Sequence, residues 1–373
     1  MDLDELRSLL TTDDPYPTLS HLRSESNLHR IGERQWLVLS YNLARSVLSD
    51  TSRFISGPLG PALAGGLREG GAANDYVTHR INFCDPPRHT DVRHAVDRWF
   101  SRRRVNELVP NVEAIANELA DELSGTCELV EAFAHPLPAR VICTLLGADE
   151  PEKLGTWGEE LAMLLSIGRT PEQIADGERA AEQMSEWLAG LNGPDIDLDA
   201  PTRTSLVMTL FAAGHHTTRD AFVNGMHALL RNPAQTDAAR NDPATAVEEF
   251  LRFDTPTQLV SRVTATSVEL EGEMIPPFSQ VAVALGAANR DPERFEEPDT
   301  FDVTRTRNVP ISFAPGPHHC LGAPLARLEL RVMLSTILNR WPRIRLLDPT
   351  ASVPRRPSAV FHGRTRLDVE LIT

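Results

Sequence analysis

Residues 312–324 read Ser312-Phe313-Ala314-Pro315-Gly316-Pro317-His318-His319-Cys320-Leu321-Gly322-Ala323-Pro324. One cysteine sits in a turn rich in glycine and proline, directly before an amphipathic helix. That helix reads Leu325, Leu328, Glu329, Val332, Met333, Thr336 and Ile337, with apolar side chains recurring at three and four residues. A thiol at a helix N-terminus meets the positive end of the helix dipole and several free backbone N–H groups. Both favour the thiolate.

A thiolate presented in this way suits a haem iron whose chemistry is cleavage of an O–O bond, because the sulfur donates electron density to the metal. The segment resembles the cysteine-ligand loop of the cytochrome P-450 family, Phe-Gly-x-Gly-x-(His or Arg)-x-Cys-x-Gly. Phe313, Gly316, His318, Cys320 and Gly322 fit that pattern. Ala314 stands where the family usually has glycine. If the position needs a positive φ, alanine costs about 1 kcal/mol or more.

The resemblance runs from His89 to Cys320 and implies a single haem domain over residues 1–373, mainly α with small β-sheets. The 41% hydrophobic content is ample for one large core. A net charge of −15 argues against nucleic acid as a partner. The four cysteines, Cys84, Cys127, Cys143 and Cys320, show neither CxxC spacing nor a disulfide framework, which suggests reduced thiols. The acidic first residues, Met-Asp-Leu-Asp-Glu-Leu, carry no targeting signal, and no apolar run approaches the ~20 residues of a membrane span. A cytoplasmic protein of the soluble bacterial type is expected.

Residues 15–55 read as a helix, a short hairpin around Trp36–Leu39 and another helix. Residues 56–85, with six glycines from Gly57 to Gly71, read as one long irregular loop. From Thr90 to Leu230 the pattern is helical, broken at Gly125, Pro136, Gly168 and Gly193-Pro194. Between about 255 and 285 it becomes β, with Val260, Val263, Val268, Leu270, Ile275, Val281 and Val283 and a turn at Gly272. Strands are expected again at 359–363 and 367–372.

A second signal is Ala213-Gly214-His215-His216-Thr217-Thr218, inside a helix from about Ser205 to Leu230. Glycine within a helix costs about 1 kcal/mol relative to alanine and so asks for a reason, such as close approach of a flat cofactor. A threonine hydroxyl there can bond the carbonyl one turn back and open the ladder. The segment resembles the family's oxygen-activating helix, Ala-Gly-x-(Asp or Glu)-Thr-(Thr or Ser). Thr217 then stands for the alcohol that steadies the activated oxygen and guides protons, with Ala213 and Gly214 beside it. His216 replaces the acid. Imidazole can relay protons itself, or it can pack away from the pocket. His215 is expected to point away from the haem.

Glu249 and Arg252, three apart on one helix face, resemble the family's structural Glu-x-x-Arg pair. Pro298-Asp299-Thr300-Phe301 lacks the arginine that often completes it. His89, Arg93, Arg262 and His318 stand where the resemblance places partners of the haem carboxylates, and arginine's fork suits a carboxylate. The implied cofactor is haem b with Cys320 as axial iron ligand and Phe313 and Gly322 in its binding loop. Arg88, Arg93, Arg98, Arg102, Arg103 and Arg104 form a basic cluster, either a solvated face or a docking patch for a ferredoxin or flavodoxin. No nicotinamide or flavin fingerprint is present, so separate redox partners are implied.

The expected activity is monooxygenation of a small organic molecule, free or bound to a carrier protein, in bacterial secondary-metabolite biosynthesis, by a monomeric enzyme. Oxidative coupling or desaturation, a non-catalytic haem sensor, and a zinc site at the paired histidines are the competing readings. Residues 56–85, about 155–185, Thr257 to Val260 and Val360 to His362 are the expected substrate-contact segments, and the short stretch from Gly190 to Ser205 hints at a compact lid.

Overall fold

The longest apolar pattern becomes the axis of the molecule. The computed structural model describes residues 1–166, 168–190 and 197–372, and in it helix Ala200–Arg231 runs for 32 residues, about 48 Å. The Asp199 carboxylate caps it, accepting from the Thr202 N–H at 3.0 Å. Most of its side chains are buried, as they must be in a helix surrounded by others. Helices Pro136–Leu146, Pro151–Met163, Pro171–Gly190, Pro243–Phe253 and Ala323–Arg340 gather around it. Phe133, Phe211, Phe222 and Phe250 fill the main core between them.

Among the described residues, ten strands form three small sheets: β1 (Leu28–Gly32), β2 (Gln35–Val38), β3 (Phe54–Ile55), β4 (Thr126–Glu128), β5 (Leu259–Thr264), β6 (Val268–Leu270), β7 (Glu273–Ile275), β8 (Gln280–Ala284), β9 (Arg343–Leu346) and β10 (Asp368–Ile372). The largest has the order β1-β2-β8-β5-β3, with β2 parallel to β8 and its other pairs antiparallel. The others are β4-β10-β9 and the hairpin β6-β7. A mainly α fold with small sheets is what the sequence implied. Residues 359–363 are not a strand; they make an isolated bridge, Thr257 to Phe361.

The long loop expected over 56–85 is instead two short helices, Leu59–Ala64 and Ala72–Thr78, followed by a 3-10 turn, Ile81–Phe83. The glycines punctuate these helices rather than dissolving them: Gly66 and Gly70 lie at φ +86° and +68° in the connection. Tertiary packing decides the outcome, because Ala73, Tyr76 and Val77 are buried in the main core. The breaks at Gly125 and Gly168 occur as left-handed turns, and Pro136 begins a helix. The expected break at Gly193-Pro194 lies outside the described residues, as do residues 191–196 of the expected lid; from Ala200 on, that stretch is already part of the long helix. No helix among the described residues is long and apolar enough to cross a membrane.

Candidate functional site

Two residues of positive φ shape the cysteine loop, Ala314 at 51° and Gly316 at 85°. A Cβ at Gly316 would lie 2.5 Å from the Leu48 carbonyl oxygen, so only glycine fits. Ala314 has the left-handed conformation that made its alanine noteworthy, and the loop carries that strain. Backbone bonds fix the rest: Cys320 N–H donates to the Phe313 carbonyl at 2.9 Å and His319 N–H to that of Gly316 at 3.0 Å. The Arg93 Nη1 reaches across to the His319 carbonyl at 2.8 Å. The Arg327 guanidinium lies 4.5 Å over the Phe313 ring and is held by Glu248. Ser312 Oγ anchors the near end on the Leu251 carbonyl at 2.6 Å.

Cys84 and Cys143 are buried and Cys127 is half-buried, whereas Cys320 is exposed. Yet Cys320 lies deep in the fold, where burial pushes its thiol pKa up. The surface it exposes is therefore that of an inner cleft. The Gly322 and Ala323 N–H groups and the charges of Arg93 and Arg327 pull in the opposite direction, but burial outweighs them. The helix terminus alone therefore does not offset the cost of burial for the thiolate.

On the long helix, which is otherwise nearly all buried, Ala213 is exposed and Thr217 half-buried. They are four apart and share a face. The Thr217 hydroxyl donates to the Ala213 carbonyl at 2.6 Å, and that of Thr218 to Gly214 at 3.2 Å. Gly214 has a local reason of its own: a Cβ there would stand 3.3 Å from Ile142 Cδ1, so the glycine lets helix Pro136–Leu146 pack close.

His216 is buried with its Nδ1 on the Ala212 carbonyl and its ring edge-on to Phe361, centroids 4.6 Å apart. Its Nε2 is sealed without a partner. Burial, with Arg219 and His215 nearby, drives its pKa down to about 3, so the ring is neutral. Phe361 is brought there by two backbone bonds, Gln258 N–H to the Val360 carbonyl and His362 N–H to that of Pro256, both 2.8 Å. The segments around Thr257 and Val360 thus meet. The other two expected contact segments also meet: Arg68 N–H donates to Glu178 at 2.6 Å, and Arg169 to the Leu63 and Gly65 carbonyls.

The four basic residues of the implied carboxylate site cluster together. The His89 and His318 rings are 4.2 Å apart. Burial, then the charges of Arg262, His89 and Arg93, lower His318 to about 3. Burial lowers Arg262 to about 10, with Asp85 opposing. His318 Nε2 and Arg262 Nε are buried without a partner. Buried polar atoms normally find partners, so this group fits a pair of anionic carboxylates such as a haem carries. Arg93 is partly committed elsewhere, to Asp97 at 2.9 Å and to the cysteine loop.

Glu249 and Arg252 form a fully buried two-pronged pair at 2.7 and 2.8 Å. Arg252 also donates to the Asn289, Pro298 and Thr300 carbonyls. The partner missing from the Pro298–Phe301 stretch is replaced from farther on, by Arg305 at 3.4 Å and Asn308 at 2.9 Å from Glu249. No sequence spacing announced either.

Two things were invisible in the sequence, the polar cluster around Glu159 and the buried carboxyl of Glu329. His215 turns to the opposite side of the long helix from Thr217, its Nε2 on the His135 carbonyl at 3.0 Å. There His135, Glu159 and His215 stand close enough to hold a metal ion, but Arg219 already places its guanidinium against Glu159, with Asp220 at 2.8 Å. Burial alone would raise Glu159, yet the His135 hydrogen bond and the Arg219 charge hold it at about 2. His215 and His216 diverge, which removes the zinc reading at that pair. Glu329, on the helix after the cysteine, is buried with Oε2 unpartnered, and burial raises its pKa well above the carboxylate range.

A family model described as cytochrome P-450 matches residues 243–345, which span the Glu249–Arg252 pair and Cys320. The 6-deoxyerythronolide B hydroxylase of Saccharopolyspora erythraea is 34% identical over 96% of each chain. Among solved structures, the cytochrome P-450 enzyme CxnD, for C–S bond formation in chuangxinmycin biosynthesis, matches with a TM-score of 0.87 at 29% identity, covering 96% of this chain and 95% of its own. Myxobacterial CYP267B1, solved with myristic acid, matches with a TM-score of 0.88 at 30% identity over 100% of both chains. With the cysteine loop, the threonine helix and the buried Glu249–Arg252 pair in one fold, this chain belongs to the cytochrome P-450 family.

Proposed function

We propose that the chain is a haem-thiolate monooxygenase that inserts one oxygen atom of dioxygen into a small organic substrate of the natural-product type. The observation that carries this reading is Cys320, exposed to an inner cleft from a loop braced by Arg93 and Arg327. Bound there, haem b would supply dioxygen activation at an iron held by the cysteine. His89, Arg93, Arg262 and His318 receive its carboxylates, and Phe313 and Gly322 flank the sulfur.

Ala213 and Gly214 keep the helix face low beside the reacting atoms. The Thr217 hydroxyl, held on the Ala213 carbonyl, can turn to donate a proton into the cleft. His216 acts as a neutral wall: its proton is held at Nδ1 by the Ala212 carbonyl, and Phe361 closes the other side. Protons then reach Thr217 by water and substrate rather than through imidazolium. Electrons come from a separate ferredoxin or flavodoxin, received at the arginines between Arg88 and Arg104. Arg103 and Arg104 both pair with Glu107, so the patch is less positive than its sequence suggests.

The neutral His216 in place of an acid favours a second reading, oxidative coupling or desaturation at the same centre; the similar protein CxnD is described as serving C–S bond formation. Incubation with candidate polyketides and aliphatic acids, a ferredoxin, its reductase and labelled dioxygen separates them by product mass. Gain of one labelled oxygen supports monooxygenation; loss of two hydrogens supports the second reading.

A further inference from the structure

Buried arginines in this fold are almost all paired. Arg219, Arg252, Arg290, Arg356 and Arg364 lie within 4 Å of a carboxylate. Arg23 donates to the Ala287 carbonyl at 2.8 Å, and Arg262 belongs to the basic group already described. Arg80 is different. It is 4% exposed, and among the described residues its protein partner is the Tyr76 hydroxyl, which accepts from Nη1. Its Nε is buried with no acceptor, and the Tyr76 hydroxyl proton likewise has none among the described residues. Its guanidinium carbon lies 5.0 Å over the Tyr76 ring.

A desolvated guanidinium without a counter-ion is costly. A buried N–H donor and an O–H donor thus sit on one bonded pair, with no carboxylate of the described residues to receive them. Among the described residues no hydrogen bond or ring contact joins this pair to the His89–His318 group. Ser205 Oγ donates to the Tyr76 carbonyl at 2.7 Å and so fixes this pair against the long helix. Ser205 is eight residues before Ala213, about 12 Å along the helix.

We infer that Arg80 and Tyr76 anchor a carboxylate of the substrate. The acid is held about two helical turns from Ala213, so the enzyme oxidises carbons remote from the carboxylate and not those beside it. The inference rests on the proposed monooxygenase reading only in taking the anchored molecule to be the one oxidised.

The test is calorimetric titration of the haem-loaded protein with dodecanoate and with its methyl ester. The expected result is binding of dodecanoate about tenfold or more tighter than the ester. Arg80→Gln should abolish that preference while leaving ester affinity unchanged, and Tyr76→Phe, which retains the ring, should reduce it. Equal affinity for acid and ester in the unaltered protein, or a preference that survives both substitutions, overturns the anchor. The carbon monoxide spectrum of the same samples reports thiolate ligation separately. A thiolate spectrum without acid preference therefore sinks the anchor alone, and acid preference without that spectrum upholds the anchor while sinking the haem reading.

Discussion

His216 lies edge-on to Phe361, ring centroids 4.6 Å apart, with its Nδ1 on the Ala212 carbonyl. That contact joins the long helix to the C-terminal segment and keeps the imidazole out of water. The folded-state pKa of about 3 is below the ordinary 6.5, so the neutral ring is stabilising above pH 6.5 and that stability is lost as pH falls toward 3. His216→Phe should therefore shrink the stability lost between pH 7 and pH 5 by about 2 kcal/mol. Urea unfolding of both proteins at the two pH values measures it; an unchanged loss would mean that the ring is solvated.

Thr217→Val keeps the shape of the side chain and removes the hydroxyl that sits on the Ala213 carbonyl at 2.6 Å. Product formed per dioxygen consumed should fall about tenfold or more, with haem content unchanged. An oxygen electrode and product quantification on one reaction give the ratio. A ratio equal to that of the unaltered enzyme would show that Thr217 handles no proton.

Ala314 at φ 51° occupies a conformation that glycine adopts freely. Ala314→Gly should leave the loop intact and stabilise the protein by up to about 1 kcal/mol, relief of strain being partly offset by the freer unfolded chain. The readout is the denaturation midpoint, and a clear decrease would contradict the strain.

Glu329 has a folded-state pKa well above 4.5 because burial penalises its charge. Its contribution to stability is fully present below pH 4.5 and is lost as pH rises toward the folded value. Glu329→Gln should be close to neutral near pH 4.5 and stabilising at pH 8. Equal effects at both pH values would mean that the carboxyl finds a partner in solution.

The chemistry was legible where it is local in sequence. The cysteine loop, the threonine helix, the Glu249–Arg252 pair and strands β5 to β8 each announce themselves within a dozen residues, through turn residues or periodicity. What stayed hidden depends on distant contacts. Helices Leu59–Ala64 and Ala72–Thr78 form because Tyr76 and Val77 reach the main core, which the glycine-rich composition masks. Arg305 completes the Glu249 pair across 56 residues of chain, and Arg93 holds the His319 carbonyl across 226. Neither leaves a spacing signal. The close approach of Ile142 Cδ1 to Gly214, 3.3 Å from where a Cβ would stand, is likewise a contact between distant segments that the sequence does not announce.

The most direct test of thiolate-ligated haem is the absorption spectrum of the purified protein, reduced with dithionite under carbon monoxide. A strongly red-shifted Soret band, lost in Cys320→Ser, is the predicted result. A band at the position of histidine-ligated haem, or no haem at all, would contradict it.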